Sequence, residues 1–70
     1  MVDTGVALGA ALAISVSAIS TAWAQSRIGA AGAGTIAENP ELTGAVIILE
    51  AIPETMVILG FVVAAMILVL

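Results

Sequence analysis

The chain of 70 residues has no cysteine, no histidine and one basic side chain, Arg27. Without cysteine there is no disulfide framework, no thiolate metal site and no thiol nucleophile. Without histidine the commonest general base and metal ligand is missing. A single arginine against five acidic residues leaves a formal charge of −4, and nucleic-acid binding, which needs basic patches, is excluded. Charged residues are 9% of the chain and hydrophobic residues 63%, whereas soluble proteins average about 25% charged. So short a chain buries little surface by itself. A water-soluble fold could not hide this much apolar surface, and the class that remains is an integral membrane protein.

What is present is arranged in two long apolar runs. Thr4 to Ser26 carries no charge and is long enough to cross a hydrocarbon core of about 30 Å. Ala22-Trp23-Ala24 before Gln25 has the small-x-small form of a signal-peptide cleavage site. The preceding region has Asp3 and no Lys or Arg, where a signal peptide needs positive charge, and the apolar run is too long for a signal core. The expectation is an uncleaved first membrane helix over about residues 4–37, continuing past Arg27 through the Gly29–Gly34 stretch. Glycine is less disruptive in a membrane helix than in water. The breaker is Glu38-Asn39-Pro40-Glu41. Proline disfavours helix in the residue before it and suits the first position of a new one. A second helix is expected over about 41–70, giving one transmembrane hairpin with a polar loop at 38–41. Each arm would be roughly 45–50 Å long. The positive-inside rule has only Arg27 to act on, and it puts the loop on the cytoplasmic side of the cell membrane with both termini opposite.

The arms differ in texture. Along the first, Gly5, Gly9, Ala13, Ser17, Thr21, Gln25 and Gly29 recur every four residues, a small-residue stripe that lets helices approach closely in lipid. The second is bulky, with Val46, Ile47, Ile48, Leu49, Ile52, Met56, Val57, Ile58, Leu59 and Phe61. Thin beside thick makes a wedge, and wedges with the thin arm inward close into a ring. An ordinary packed hairpin is the alternative.

Glu54, in Ile52-Pro53-Glu54-Thr55, is the last ionisable side chain, and no charge follows to Leu70. Ionisable groups at membrane depth are costly and usually bind or move ions. Gln25 lies fourteen residues before Asn39 and Glu54 fifteen after it, so both reach a level about 21–22 Å below the turn. Thr55 adds a hydroxyl. Pro53 has no N–H, which frees the Leu49 carbonyl from its usual helical partner. An all-oxygen set of this kind suits a hard cation of low charge, or a protonated carboxyl held by hydrogen bonds. It does not suit a transition metal. Gln25 could instead serve only as an interhelical hydrogen-bonding residue. Arg27 and Glu50 form a second level, twelve residues before and eleven after Asn39. Arg27 points about 200° from Gln25 while Glu50 is only about 40° from Glu54, so the expected intramembrane ion pair would form across a subunit boundary. Snorkelling of Arg27 and an ion-path role for Glu50 are the alternatives.

Gln25, Gly29–Gly34, Ala37-Glu38-Asn39-Pro40-Glu41-Leu42 and Ala51-Ile52-Pro53-Glu54-Thr55 resemble the proteolipid (rotor-ring c or K) subunits of archaeal A-type and V-type ATP synthases, in their single-hairpin form. The resemblance spans nearly the whole chain. It implies an all-α membrane protein, a two-helix hairpin assembling into a rotor ring with the first helix inside. Glu54 would carry the transported ion, Na⁺ or H⁺, against a stator membrane subunit, and the loop would dock the central stalk. Gln25, Thr55 and the Ile52 carbonyl match positions that ligate Na⁺ in sodium-coupled relatives. Met56 and Leu59 stand where such relatives often carry Gln and Tyr, so the choice between Na⁺, H⁺ and both stays open. No cofactor is implied. The sequence has no phosphate-binding loop and no nucleophile–base pair, so any ATP chemistry lies in other subunits and the chain is not an enzyme. The rival from another class is a passive oligomerising or pore-forming hairpin, which would tolerate loss of the Glu54 charge.

Overall fold

The computed structural model describes residues 2–70. Helix α1 runs without interruption from Thr4 to Glu38. Its first turn is capped by Asp3, whose Oδ1 accepts the Val6 N–H at 2.8 Å. That bond satisfies one of the amides a helix start leaves free. The helix stops where Pro40 forces its predecessor out of helical geometry, and Asn39 takes φ −134°, ψ 80°. Asn39 still donates its N–H to the Thr35 carbonyl at 2.8 Å, closing the last turn.

The loop is shorter than expected. After Asn39 the chain enters one turn of 3-10 helix, Pro40–Leu42, with proline at its start. Helix α2 follows directly, Thr43–Ala51, with the Thr43 hydroxyl donating to the Pro40 carbonyl at 2.7 Å. The second arm is then interrupted at Ile52-Pro53 and resumes as α3, Glu54–Val69. Both interrupting residues keep right-handed helical angles, φ −57°, ψ −46° at Ile52 and φ −61°, ψ −20° at Pro53. The helix is therefore tightened at the proline rather than turned. Thr55 and Met56 donate their N–H groups to carbonyls three residues back, Ile52 and Pro53, at 3.2 and 3.1 Å.

The arms lie antiparallel in a rod of 54 × 16 × 10 Å, the length expected of about 35 residues of helix. Both are long and apolar enough to cross a membrane. Their register follows the distance from Asn39. Gly32 meets Val46, Gly29 meets Glu50 and Gly60 meets Ser17, each pair equidistant from the turn to within one residue.

Close approach rests on glycine at two of these points. A methyl group at Gly60 would overlap the Ser17 side chain and come within 3.0 Å of the Ala13 carbonyl, and one at Gly32 would overlap Val46. The stripe expected at every fourth residue is only partly the packing face. Ala13, Ser17, Thr21, Gln25 and Gly29 are buried or half-buried, but Gly5 is exposed and a methyl group at Gly9 would meet nothing within 4 Å. A four-residue repeat advances about 40° per step on a helix with 3.6 residues per turn, so the stripe winds off the contact. Ala10, only 4% exposed, takes over near the open end. Most of the large apolar side chains face outward, from Ile19 and Trp23 to Phe61 and Val69, while Ile14, Ile28, Val46 and Val57 are half-buried. Such a surface fits lipid or further copies and not water.

Candidate functional site

The site gathers where the α2–α3 interruption passes the middle of α1. Proline removes one helical donor, and the tightened turn around it leaves carbonyl oxygens available to side chains. Three of them are taken. Gln25 donates through Nε2 to the Glu50 carbonyl at 3.2 Å. Thr21 donates its hydroxyl to the Pro53 carbonyl at 2.9 Å. Thr55 donates its hydroxyl to the Ile52 carbonyl at 2.8 Å. Polar donors from α1 thus support the break, which is how irregular backbone survives at membrane depth.

The same Gln25 amide group donates to Glu54 Oε2 at 3.0 Å. One carboxamide therefore bridges the backbone on the near side of the proline and the carboxylate on its far side. Glu54 is otherwise exposed on the outer surface of the hairpin, beside a groove lined by Gln25, Ile47, Glu50, Ala51 and Glu54. The carboxylate is thus held on one oxygen by a donor from the opposite arm.

Of the residues expected at the site, Gln25 and Glu54 meet directly. Thr55 and the Ile52 carbonyl meet each other; the Thr55 hydroxyl is turned back on its own helix. Arg27 and Glu50 do not pair within the hairpin. The Arg27 guanidinium lies over the Trp23 ring, 4.5 Å from its centroid. Glu50 is half-buried beside Gly29, where an added methyl group would lie 2.7 Å from its Oε2, and its Oε1 is buried without a hydrogen-bond partner.

Thr21 is a site residue that the sequence reading does not single out. It is 4% exposed and is the buried polar residue of the contact. Its signal is present in the chain: it stands one turn before Gln25 on the same helical face, opposite a proline that loosens carbonyls. The Glu50 carbonyl is a second such group, since a backbone acceptor leaves no mark in the identity of its side chain.

These features define a class first: a two-helix membrane hairpin with a carboxylate, bonded by an amide from the opposite arm, at a proline break in its second span. The profile of the ATP synthase C-subunit family matches residues 8–67, and the chain belongs to that family. It is similar to the A-type ATP synthase subunit K of Methanocaldococcus jannaschii, with 39% identity over 62 residues. That match takes in 89% of this chain and 28% of the relative's length. As a family member the chain is a membrane-embedded, non-catalytic subunit.

Proposed function

We propose that the chain is the ion-carrying unit of a rotor ring in the membrane sector of an A/V-type ATP synthase. Glu54 binds and releases the transported ion, Na⁺ or H⁺, and the movement of many such carboxylates couples ion flow to ATP synthesis or hydrolysis elsewhere in the complex. The observation that carries this reading is the Gln25–Glu54 hydrogen bond at the Pro53 break. It supports the reading because it gives an exposed carboxylate of an apolar span a donor from the opposite arm.

An uncompensated charge in hydrocarbon is strongly unfavourable. Crossing lipid therefore requires Glu54 to be neutralised by its cargo, and exchange with water requires a polar path supplied by a stator subunit. Gln25 holds Glu54 Oε2, which leaves Oε1 as the atom that takes a proton or faces a cation. Rotation of the Gln25 carboxamide would present its oxygen to the same place. The Thr55 hydroxyl oxygen and the Ile52 carbonyl complete an oxygen set suited to Na⁺. Each unit charge crossing 100 mV gains about 2.3 kcal/mol, so many identical sites must act in turn to drive one phosphorylation. A ring of hairpins meets that need. The Glu38-Asn39-Pro40-Glu41 end, the most polar part of the chain, faces the cytoplasm and docks the central stalk.

Replacing Glu54 by Gln tests the reading: the ring should assemble while ion-driven ATP synthesis is abolished. Retained synthesis would reduce the chain to a passive oligomerising hairpin. For the ion, the rate at which a carboxyl-reactive carbodiimide modifies Glu54 is measured across pH, with and without Na⁺. Protection by Na⁺ supports sodium as cargo; no protection at any pH leaves the proton.

A further inference from the structure

The two flanks of the hairpin carry opposite charge. The centre of the α1 face that meets the second arm is marked by Thr21, Ile28 and Gly32, which are buried or half-buried. At about 100° per residue, Gln25 stands about 60° from Ile28 to one side of that face and Arg27 about 100° to the other. On the Gln25 flank runs the groove lined by Gln25, Ile47, Glu50, Ala51 and Glu54. The opposite flank presents Arg27, exposed and stacked on Trp23.

Neither charge at this level is satisfied inside the hairpin. Among the described residues, Arg27 meets an aromatic face and no carboxylate. Glu50 Oε1 is buried with no donor, and the Gln25 amide on the same flank is committed to the Glu50 backbone carbonyl and to Glu54. Arg27 and Glu50 stand twelve and eleven residues from Asn39, which places them at one depth, roughly 16–18 Å from the turn. A lone guanidinium and a lone carboxylate at the same depth of an apolar rod are each costly, and each removes the other's cost.

Resting on the ring reading above, we infer that Arg27 of one copy enters the Gln25–Glu50–Glu54 groove of the next and pairs with Glu50. A head-to-tail contact is the kind that closes by rotation into a ring, and it brings unlike flanks together at every boundary. Within one hairpin the same two residues are on opposite flanks and cannot meet. Glu50 already lines that groove, and its terminal torsion is soft, so an oxygen of its carboxylate can be aimed at an incoming guanidinium without moving the backbone. Leaving Trp23, the guanidinium exchanges an aromatic face for a charged partner with which it makes paired hydrogen bonds. The pair adds register to the assembly, because a copy slipped by one helical turn along the rod would leave two charges buried and unpartnered. It also leaves Glu54, one turn away, as the carboxylate in the groove free to take cargo.

The test uses purified assemblies. Cysteines at both positions, Arg27→Cys with Glu50→Cys, are treated with a short bis-maleimide. The expected product is a ladder of dimers, trimers and larger species, while either single cysteine variant stays as single hairpins. A double variant that yields no ladder from intact rings overturns the pairing and leaves the ring reading standing. Wild-type protein that runs as a single hairpin in mild detergent overturns both. A second measurement covers variants that fail to assemble: the temperature at which rings dissociate. Arg27→Gln and Glu50→Gln should each lower it, the double substitution should lower it no further, and the swap Arg27→Glu with Glu50→Arg should recover it. Fully additive losses, with no recovery in the swap, contradict the pair.

Discussion

The two arms of the hairpin handle their polar groups in opposite ways. Helix α1 is continuous over 35 residues, and two of its polar side chains, Thr21 and Gln25, act as donors toward the other arm. The second arm is more apolar in composition but is broken at Ile52-Pro53, and its backbone provides the acceptors. A straight helix consumes its own carbonyls and offers little to a neighbour. A helix with a proline in it has oxygens to offer and needs a partner to satisfy them. The regular arm thus supplies donors and the irregular arm acceptors, and Glu54 sits at the first position of the segment after the break.

This contrast can be broken by steric means first. Gly60→Val should have the largest effect, because a β-branched side chain there overlaps Ser17 and the Ala13 carbonyl. Overpacking of this kind costs about 1–3 kcal/mol, to be read as a lowered midpoint of thermal unfolding in detergent. The milder Gly60→Ala should regain part of its loss when Ser17 is changed to Gly, which removes the side-chain overlap and leaves the close approach to the Ala13 carbonyl.

Next comes Gln25→Leu, which removes the one group that bridges both sides of the break. It leaves a backbone carbonyl and a carboxylate oxygen without a donor, a loss of about 1–2 kcal/mol for interhelical hydrogen bonds in model peptides. The more informative readout is Glu54: its modification by carbodiimide should speed up as the carboxyl loses its anchor. Unchanged reactivity would mean that Gln25 serves packing alone.

Thr21→Val keeps the shape and removes only the hydroxyl donated to Pro53. The expected loss is about 0.6 kcal/mol, the average for such bonds in a membrane protein, with Thr21→Ser retaining most of the stability. Asp3→Ala should matter least to the pairing of the arms. It deletes the cap on Val6 at the exposed start of α1, so hydrogen exchange should quicken in the first turn and nowhere near Glu54. Faster exchange around Pro53 would show that the long arm transmits fraying along its length.

Several of these features are legible in the chain itself. The matched depth of Gln25 and Glu54 comes from counting residues either side of Asn39, and it holds because helical rise is constant along both arms. The break at Pro53 is legible because the missing N–H is a property of the residue itself. The rotation of each helix about its own axis is not. In water a polar face and an apolar face set that angle; here nearly all faces are apolar and the pattern carries little information. That is why the four-residue stripe runs on past Ala13 to Gly9 and Gly5, which leave the contact, and why Thr21 does not stand out from its neighbours.

Composition alone made this chain a membrane hairpin, since 63% hydrophobic residues in 70 positions have no soluble solution and Pro40 allows one sharp reversal. Chain counting then put a carboxamide and a carboxylate at one level. Only the tertiary structure decided which atoms meet: that Gln25 spans the proline to hold both the Glu50 carbonyl and Glu54, and that Thr21 closes on Pro53. Depth is a one-dimensional quantity that sequence position measures directly. Azimuth is settled by the close contacts of Gly60 on Ser17 and Gly32 on Val46, and those exist only once two helices are packed together.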